Sequence, residues 1–169
     1  ELRESEFLLS DLINFSGATV YRKDLDGRYE LVNQQFEKTL GLAAEDIVGK
    51  TDFDLFPTDI AEMFLSHDQQ VIQQGNTIQV EEWHPETWTS GQQKSDKEKA
   101  IRYFFSNKFP VRNSEGKIIG TAGVSFETTQ LKRVEQELST SQTRFRELFE
   151  YSPIGMSTVA PNHQVIMVN

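Results

Sequence analysis

The feature that most constrains this chain is that it repeats itself. Displacing the sequence by 136 residues aligns Leu2, Ser5, Leu12, Ser16, Val32 and Asn33 with identical Leu138, Ser141, Leu148, Ser152, Val168 and Asn169, without a gap. Apolar character is also kept between Ile13 and Phe149, Phe15 and Tyr151, Val20 and Met156, and Leu31 and Met167. Ungapped agreement of a hydrophobic pattern points to duplicated structure. The end of the chain then reads as the first helix and hairpin of a second copy. The chain starts at Glu1 without Met and stops at Asn169 directly after an apolar run, so both ends read as excision points from a longer tandem array.

Composition narrows the classes of function. A chain of 169 residues holds one full domain with something left over, and its 12 Phe supply a core. The net charge of -9 argues against nucleic acid, which requires a basic face, and against anionic membranes. No apolar run approaches the ~18 residues of a membrane span, so no direct membrane contact is expected of this segment. The absence of Cys removes disulfides, thiolate metal sites and cysteinyl chromophore adducts.

The element pattern starts with a helix over residues 1–15, carrying Leu2, Leu8, Leu9, Leu12, Ile13 and Phe15 at near-helical spacing and ended by Gly17. Asp26-Gly27 between two short β-type runs predicts a hairpin, because Gly takes positive φ at no steric cost. Asn33 caps a short helix stopped by Gly41, and helical turns follow at 44–48 and 52–56. Thr58 opens a longer helix with Ile60, Met63, Phe64, Val71 and Ile72 on one face, ended by Gly75. Strands are expected at 78–83, 103–111 and 117–126, with the charged stretch 84–99 read as an exposed, mobile loop pinned at one end by Trp83 and Trp88. From Thr128 the chain is helical. Leu131, Leu138 and Phe145 fall seven residues apart, as do Val134, Ser141 and Leu148, which is the a/d seam of a coiled coil.

This order resembles the PAS (sensory-box) fold, and the motifs sharpen the resemblance. Asp26-Gly27, Val32-Asn33, Phe36, Leu40-Gly41, Ile47 and Gly49-Lys50 look like its first half. Thr51-Asp52-Phe53-Asp54-Leu55-Phe56-Pro57 resembles the segment that leads into its long helix. Lys108-Phe109-Pro110 with the run Gly116 to Gly123 is similar to the C-terminal PAC segment. The implied architecture is α+β: a five-stranded antiparallel sheet with short helices on one face, an N-terminal helix and a C-terminal coiled-coil helix. The expected organisation is a flanking helix at 1–15, the sensor domain at 16–127, a linker helix at 128–150 and a truncated second domain at 151–169, frayed or borrowing a partner.

The resemblance implies a sensory, non-catalytic module that works as a homodimer through its N-terminal and linker helices. It would signal to an effector further along the same chain, of histidine kinase or diguanylate cyclase type, in the cytoplasm or anchored at a membrane by other segments. A ligand-free dimerisation spacer is the alternative. Where the family ends its last strand with Asp-Ile-Thr, this chain has Glu127-Thr128-Thr129, which keeps the carboxylate for an ion pair. Signal transmission is expected through these residues into Leu131, Val134 and Leu138.

Family ligands sit between the inner sheet face and the long helix. If Ser125 faces inward, so do Thr121 and Gly123, and on the adjacent strand Tyr103, Phe105, Asn107 and Phe109 share one parity. Tyr103, Phe105, Asn107, Thr121 and Ser125 are therefore the candidate ligand contacts for a small organic molecule. The opposite face, with Ala122, Val124 and Phe126, is apolar too and is expected to be covered by the N-terminal helix.

His67 joins the candidate set because haem-binding members use a His on the long helix. Asp68 and Gln69 beside it predict an exposed face and disfavour haem. A cysteinyl flavin adduct is excluded. Glu81, Glu82 and His84 read as solvated side chains and not as a metal site, because neighbouring strand residues point to opposite faces.

Overall fold

A computed structural model describes residue 8 and residues 11–85, 101–151, 157–159, 161 and 165–168, without the side chains of 84, 85, 157–159 and 165–168. The expected loop 84–99 and Trp88 therefore lie outside the described residues, apart from the backbone of 84 and 85. So does most of the N-terminal helix, which is described at residues 8 and 11–15.

Two compact units are present, 1–129 and 130–169. In the first, the hairpin of β1 (Thr19–Asp24) and β2 (Tyr29–Val32) leads to four helices: α1 (Gln34–Leu40), α2 (Ala44–Ile47), α3 (Asp52–Leu55) and α4 (Thr58–Gln74). Then come β3 (Ile78–Pro85), β4 (Ile101–Arg112) and β5 (Ile118–Glu127). The sheet is five-stranded in the order β2-β1-β5-β4-β3, and every pairing is antiparallel. This is the expected α+β architecture. α5 (Thr129–Glu150) follows β5 after a single residue.

Asn33 shows how local chemistry fixes the entry to the helices. Its Oδ1 accepts from the Phe36 N–H that opens α1 and from the Val20 N–H of β1, both at 3.0 Å. Its Nδ2 donates to the Ile13 and Ala18 carbonyls at 2.9 Å each. One amide side chain thus joins the N-terminal helical segment, the hairpin and α1. Above it Tyr21, Tyr29 and Phe36 pack edge to face with ring centroids 5.3–5.8 Å apart, and Leu40 and Ile47 complete the cluster.

Two positions of β5 have no room for a side chain. At Gly123, which pairs with Tyr21, a Cβ would stand 2.5 Å from the Tyr21 ring. At Gly120, opposite Asp24, it would stand 2.0 Å from the Lys23 carbonyl oxygen. The outer face carries Trp83, Phe105 and Phe126, all exposed, and the expected cover by the N-terminal helix falls mostly on residues outside the described ones.

In the second unit, α5 is followed by β6 (Ser157–Val159) and β7 (Val165–Val168), an antiparallel pair. Its register is Ser157↔Val168, Thr158↔Met167 and Val159↔Val165, with an irregularity after Thr158. The first hairpin pairs Tyr21↔Val32, Arg22↔Leu31 and Lys23↔Tyr29, with its irregularity after Arg22. Every partner is displaced by the 136 residues of the sequence repeat.

Gly120→Ala should destabilise the protein by about 1–3 kcal/mol, because backbone cannot yield to a Cβ at that distance. Gly27→Asn, at a turn with open space and positive φ, should cost less than ~1 kcal/mol, since Asn tolerates that conformation. Urea unfolding of the two variants checks the contrast, and equal losses would contradict it.

Candidate functional site

Between the inner sheet face and the helices lies a cavity of about 60 Å³, lined among others by Tyr21, Tyr29, Phe36, Phe56, Phe64 and Phe104. Its polar lining consists of Thr19, Lys23, Thr39, Glu82, Arg102, Lys108 and Ser125. The aromatic wall is what a small organic ligand needs.

The polar floor is ionic and is built by strand parity. Thr19, Tyr21 and Lys23 alternate inward on β1, so the Lys23 ammonium, only 1% exposed, enters the interior. It donates to Asp52 Oδ2 at 2.5 Å and to Asp68 Oδ2 at 2.8 Å. Asp52 starts α3 and Asp68 lies on α4, so one cation ties two helices to the sheet. The Tyr29 hydroxyl donates to the other Asp52 oxygen at 2.7 Å. The ammonium also lies 4.8 Å from the Tyr29 ring centre and 5.3 Å from that of Tyr21.

A second cluster sits beside the first. Lys108 on β4 donates to Glu82 Oε1 on β3 at 2.7 Å and lies 4.8 Å from the Phe64 ring centre. Ser106 donates to Glu82 Oε2 at 2.6 Å, and its oxygen lies 2.8 Å from that of Ser125. His67 Nδ1 lies 2.9 Å from Glu82 Oε1. An ionised carboxylate only accepts, so Nδ1 carries the proton. Asp68 Oδ1 is buried without a hydrogen bond, 4.0 Å from Lys108 Nζ.

These contacts set the ionisation. Burial alone would raise the Glu82 carboxyl, but the hydrogen bond from His67 and the Lys108 ammonium outweigh it and hold it at about 2. Burial works against the Lys23 ammonium too, and Asp68 and Asp52 overcome it, raising its pKa. Burial and then the neighbouring carboxylates push the Tyr21 and Tyr29 hydroxyls well up.

The expected contacts divide by strand. Ser125 lines the cavity, and Thr121 is buried on the same face opposite Lys23. Tyr103, Phe105 and Asn107 lie on the outer face, where Asn107 Oδ1 accepts from Gln79 Nε2 at 3.0 Å. The expected parity of β4 is thus corrected: Phe104, Ser106 and Lys108 face inward. The register Ser106↔Ser125 brings even positions of β4 onto odd positions of β5, a detail set by the connection between them. Because β4 carries more aromatics outside than inside, hydrophobicity pointed the wrong way.

Two further readings change. Asp68 is buried rather than exposed, and Glu82 is buried rather than solvated at the surface. His67 is bonded to Glu82 and is absent from the cavity lining, and the cavity is far smaller than a porphyrin, so these residues do not fit haem. Lys23, Lys108, Asp52 and Arg102 were not anticipated. The signal for them was lysine at inward parity on two strands, balanced by acids on the facing elements.

At the exit from the sheet, Arg102 Nε and Nη2 donate to the two Glu127 oxygens at 3.2 and 2.5 Å. The Thr128 N–H donates to the Tyr103 carbonyl at 2.7 Å. The Thr129 hydroxyl donates to Glu127 Oε1 at 2.8 Å and accepts from the Tyr103 N–H at 3.0 Å. Beyond it, Leu131, Val134 and Leu138 are 51–59% exposed, forming an uncovered apolar stripe on α5. Among the described residues no helix is long and apolar enough to cross a membrane.

A sheet curled against short helices around such a cavity defines a PAS-type α+β domain. The chain belongs to the PAS-fold family, whose sequence model matches residues 14–133. It is 28% identical over 135 residues to a diguanylate cyclase of Vibrio cholerae, an alignment covering 79% of this chain and 39% of that protein. The chain thus spans about two fifths of that relative's length. VqmA of Vibrio cholerae bound to DPO is similar at 27% identity and a TM-score of 0.58, over 72% of this chain and 57% of that one. The PAS domain of a protein from Colwellia psychrerythraea shares the fold at 15% identity and a TM-score of 0.58, over 77% of this chain and 99% of that one.

Glu82 gives a test by pH. Its folded pKa lies below the ordinary 4.5, so its contribution is complete above that pH and is lost as pH falls towards 2. The size is about 3 kcal/mol. Urea unfolding of wild type between pH 5 and ~2.5 should show this loss, and Glu82→Gln should flatten it. Parallel slopes would contradict the assignment. On the alkaline side, Lys23, Tyr21 and Tyr29 hold protons that the unfolded chain releases above about pH 10, so stability should fall there as pH rises.

Proposed function

We propose that this chain is the input module of a larger signalling protein: a small molecule entering the cavity alters the sheet, and β5 passes the change into α5. The observation that carries this reading is continuity. β4 and β5 contribute Phe104, Lys108 and Ser125 to the cavity, and β5 runs into α5 with one residue between them. VqmA, at 27% identity, is seen bound to DPO, which supports a small organic ligand in the corresponding region. Accommodating it would require Phe56 and Phe64, both only partly buried, to move apart.

The output reading rests on the cyclase relative and on the stripe. Leu131, Val134 and Leu138 suit pairing with a second copy. The effector would be a diguanylate cyclase or histidine kinase later in the same chain, working in the cytoplasm. The matched registers of the two hairpins support a second PAS domain starting in the last residues. The net charge of -9 gives no support for DNA contact by this segment. The small cavity favours one competing reading, a ligand-free dimerisation spacer.

Two measurements separate them. DPO at about tenfold its Kd should raise Tm by roughly 3–6 °C, and Ser125→Phe, which fills the cavity, should abolish the shift. No shift with DPO, and no co-purifying small molecule by native mass spectrometry, would favour the spacer. Leu138→Glu should move the protein from dimer to monomer in light scattering while leaving the domain's Tm unchanged. A monomeric wild type would contradict the pairing.

A further inference from the structure

Three cations line the cavity, and they are held with very different firmness. Lys23 and Lys108 are 1% exposed and fixed by buried carboxylates. Removing either partner would strand a buried charge, so these pairs do not exchange readily. Arg102 is different. Its side chain is 22% exposed and that of Glu127 is 39% exposed, so water already screens the pair. Among the described cavity-lining cations, Arg102 is therefore the one whose partner a ligand can replace at small cost. Its remaining hydrogen bond, Nη1 to the Thr39 carbonyl at the end of α1, is long at 3.4 Å.

The partner it would release occupies a decisive place. Glu127 ends β5, and its Oε1 also accepts from the hydroxyl of Thr129, the first residue of α5. That hydroxyl in turn accepts from the Tyr103 N–H, and Tyr103 is the neighbour of Arg102. A guanidinium that lines the cavity is thus two hydrogen bonds away from the first turn of the output helix.

We propose that Arg102 is an anion-exchange latch: a carboxylate-bearing ligand in the cavity draws its guanidinium off Glu127 and so loosens the start of α5. This deepens, and rests on, the reading of the cavity as a ligand site. A carboxylate suits Arg102 because it would replace one carboxylate by another, whereas Lys23 and Lys108 are already matched by Asp52, Asp68 and Glu82. No covalent step is involved, and the exchange is one of hydrogen-bond partners.

The experiment compares acetate with acetamide, its neutral counterpart of the same size, on the whole chain at constant ionic strength. Amide resonances of Lys108 and Ser125 report occupancy of the cavity. Hydrogen exchange at the Tyr103 and Thr128 amides reports the latch. Acetate, and not acetamide, should shift the cavity resonances and speed exchange at those two amides by about threefold or more. Arg102→Gln should show the faster exchange without any ligand and no further response to acetate, with Arg102→Lys intermediate as a check that the fold survives.

Acetate and acetamide acting alike, or no acetate shift at Lys108 and Ser125, would overturn the anion assignment whatever DPO does. Unchanged exchange in Arg102→Gln, or cavity shifts without faster exchange, would overturn the latch and leave the ligand-site reading standing.

Discussion

The structure depends on the ammonium of Lys23 being held inside the domain between Asp52 and Asp68. A buried cation is tolerated only when carboxylates are brought to it, and these two come from separate helices. Their shared partner therefore dictates where α3 and α4 stand against the sheet, with the Tyr29 hydroxyl orienting Asp52 from a neighbouring strand. The second cluster, Lys108 with Glu82, Ser106 and His67, does the same for β3, β4 and α4. A floor of directional pairs is less adaptable than a floor of aliphatic side chains, since each donor has a fixed acceptor. The aromatic wall above it has no such constraint.

That division of labour suits the proposed role. A site that responds to a ligand needs one rigid side and one that yields. The rigid side is the ionic floor, and the yielding side comprises Phe56, Phe64 and the exposed Arg102 pair. β5 leaves the sheet where the Thr129 hydroxyl bonds to both Glu127 and the Tyr103 N–H. The stripe on α5 is apolar and exposed, and in proteins most helical stability comes from packing such a face. Pairing with a second copy would turn a small displacement at Thr129 into a change between two packed helices.

Much of the fold was legible in the sequence because its punctuation is local. Asp26-Gly27, Asn33, Gly41 and Gly75 each act through their own turn or cap, and the structure places the capping and positive-φ conformations there. The repeat was legible for the same reason, and the two hairpins share one register. The site was less so. β4 reverses the usual alternation, carrying Tyr103, Phe105 and Phe109 outward and Ser106 and Lys108 inward, so no rule based on hydrophobicity selects its inner face. Lys23 and Lys108 read as surface residues until Asp52, Asp68 and Glu82 are seen to meet them, and those contacts join residues 26 to 45 positions apart. Ser125 and Thr121 were found because β5 has small polar residues only on its inner side.

The most direct test of the ionic floor is a double-mutant cycle between Lys23→Met and Asp68→Asn, read by urea unfolding at neutral pH. Each single substitution strands a buried group and should cost about 3–5 kcal/mol. If the charges support each other as described, the double variant should be more stable than the sum of the two losses by at least ~2 kcal/mol. Losses that simply add would mean that Lys23 and Asp68 do not act as a pair, and the account of how the helices are seated on the sheet would be wrong.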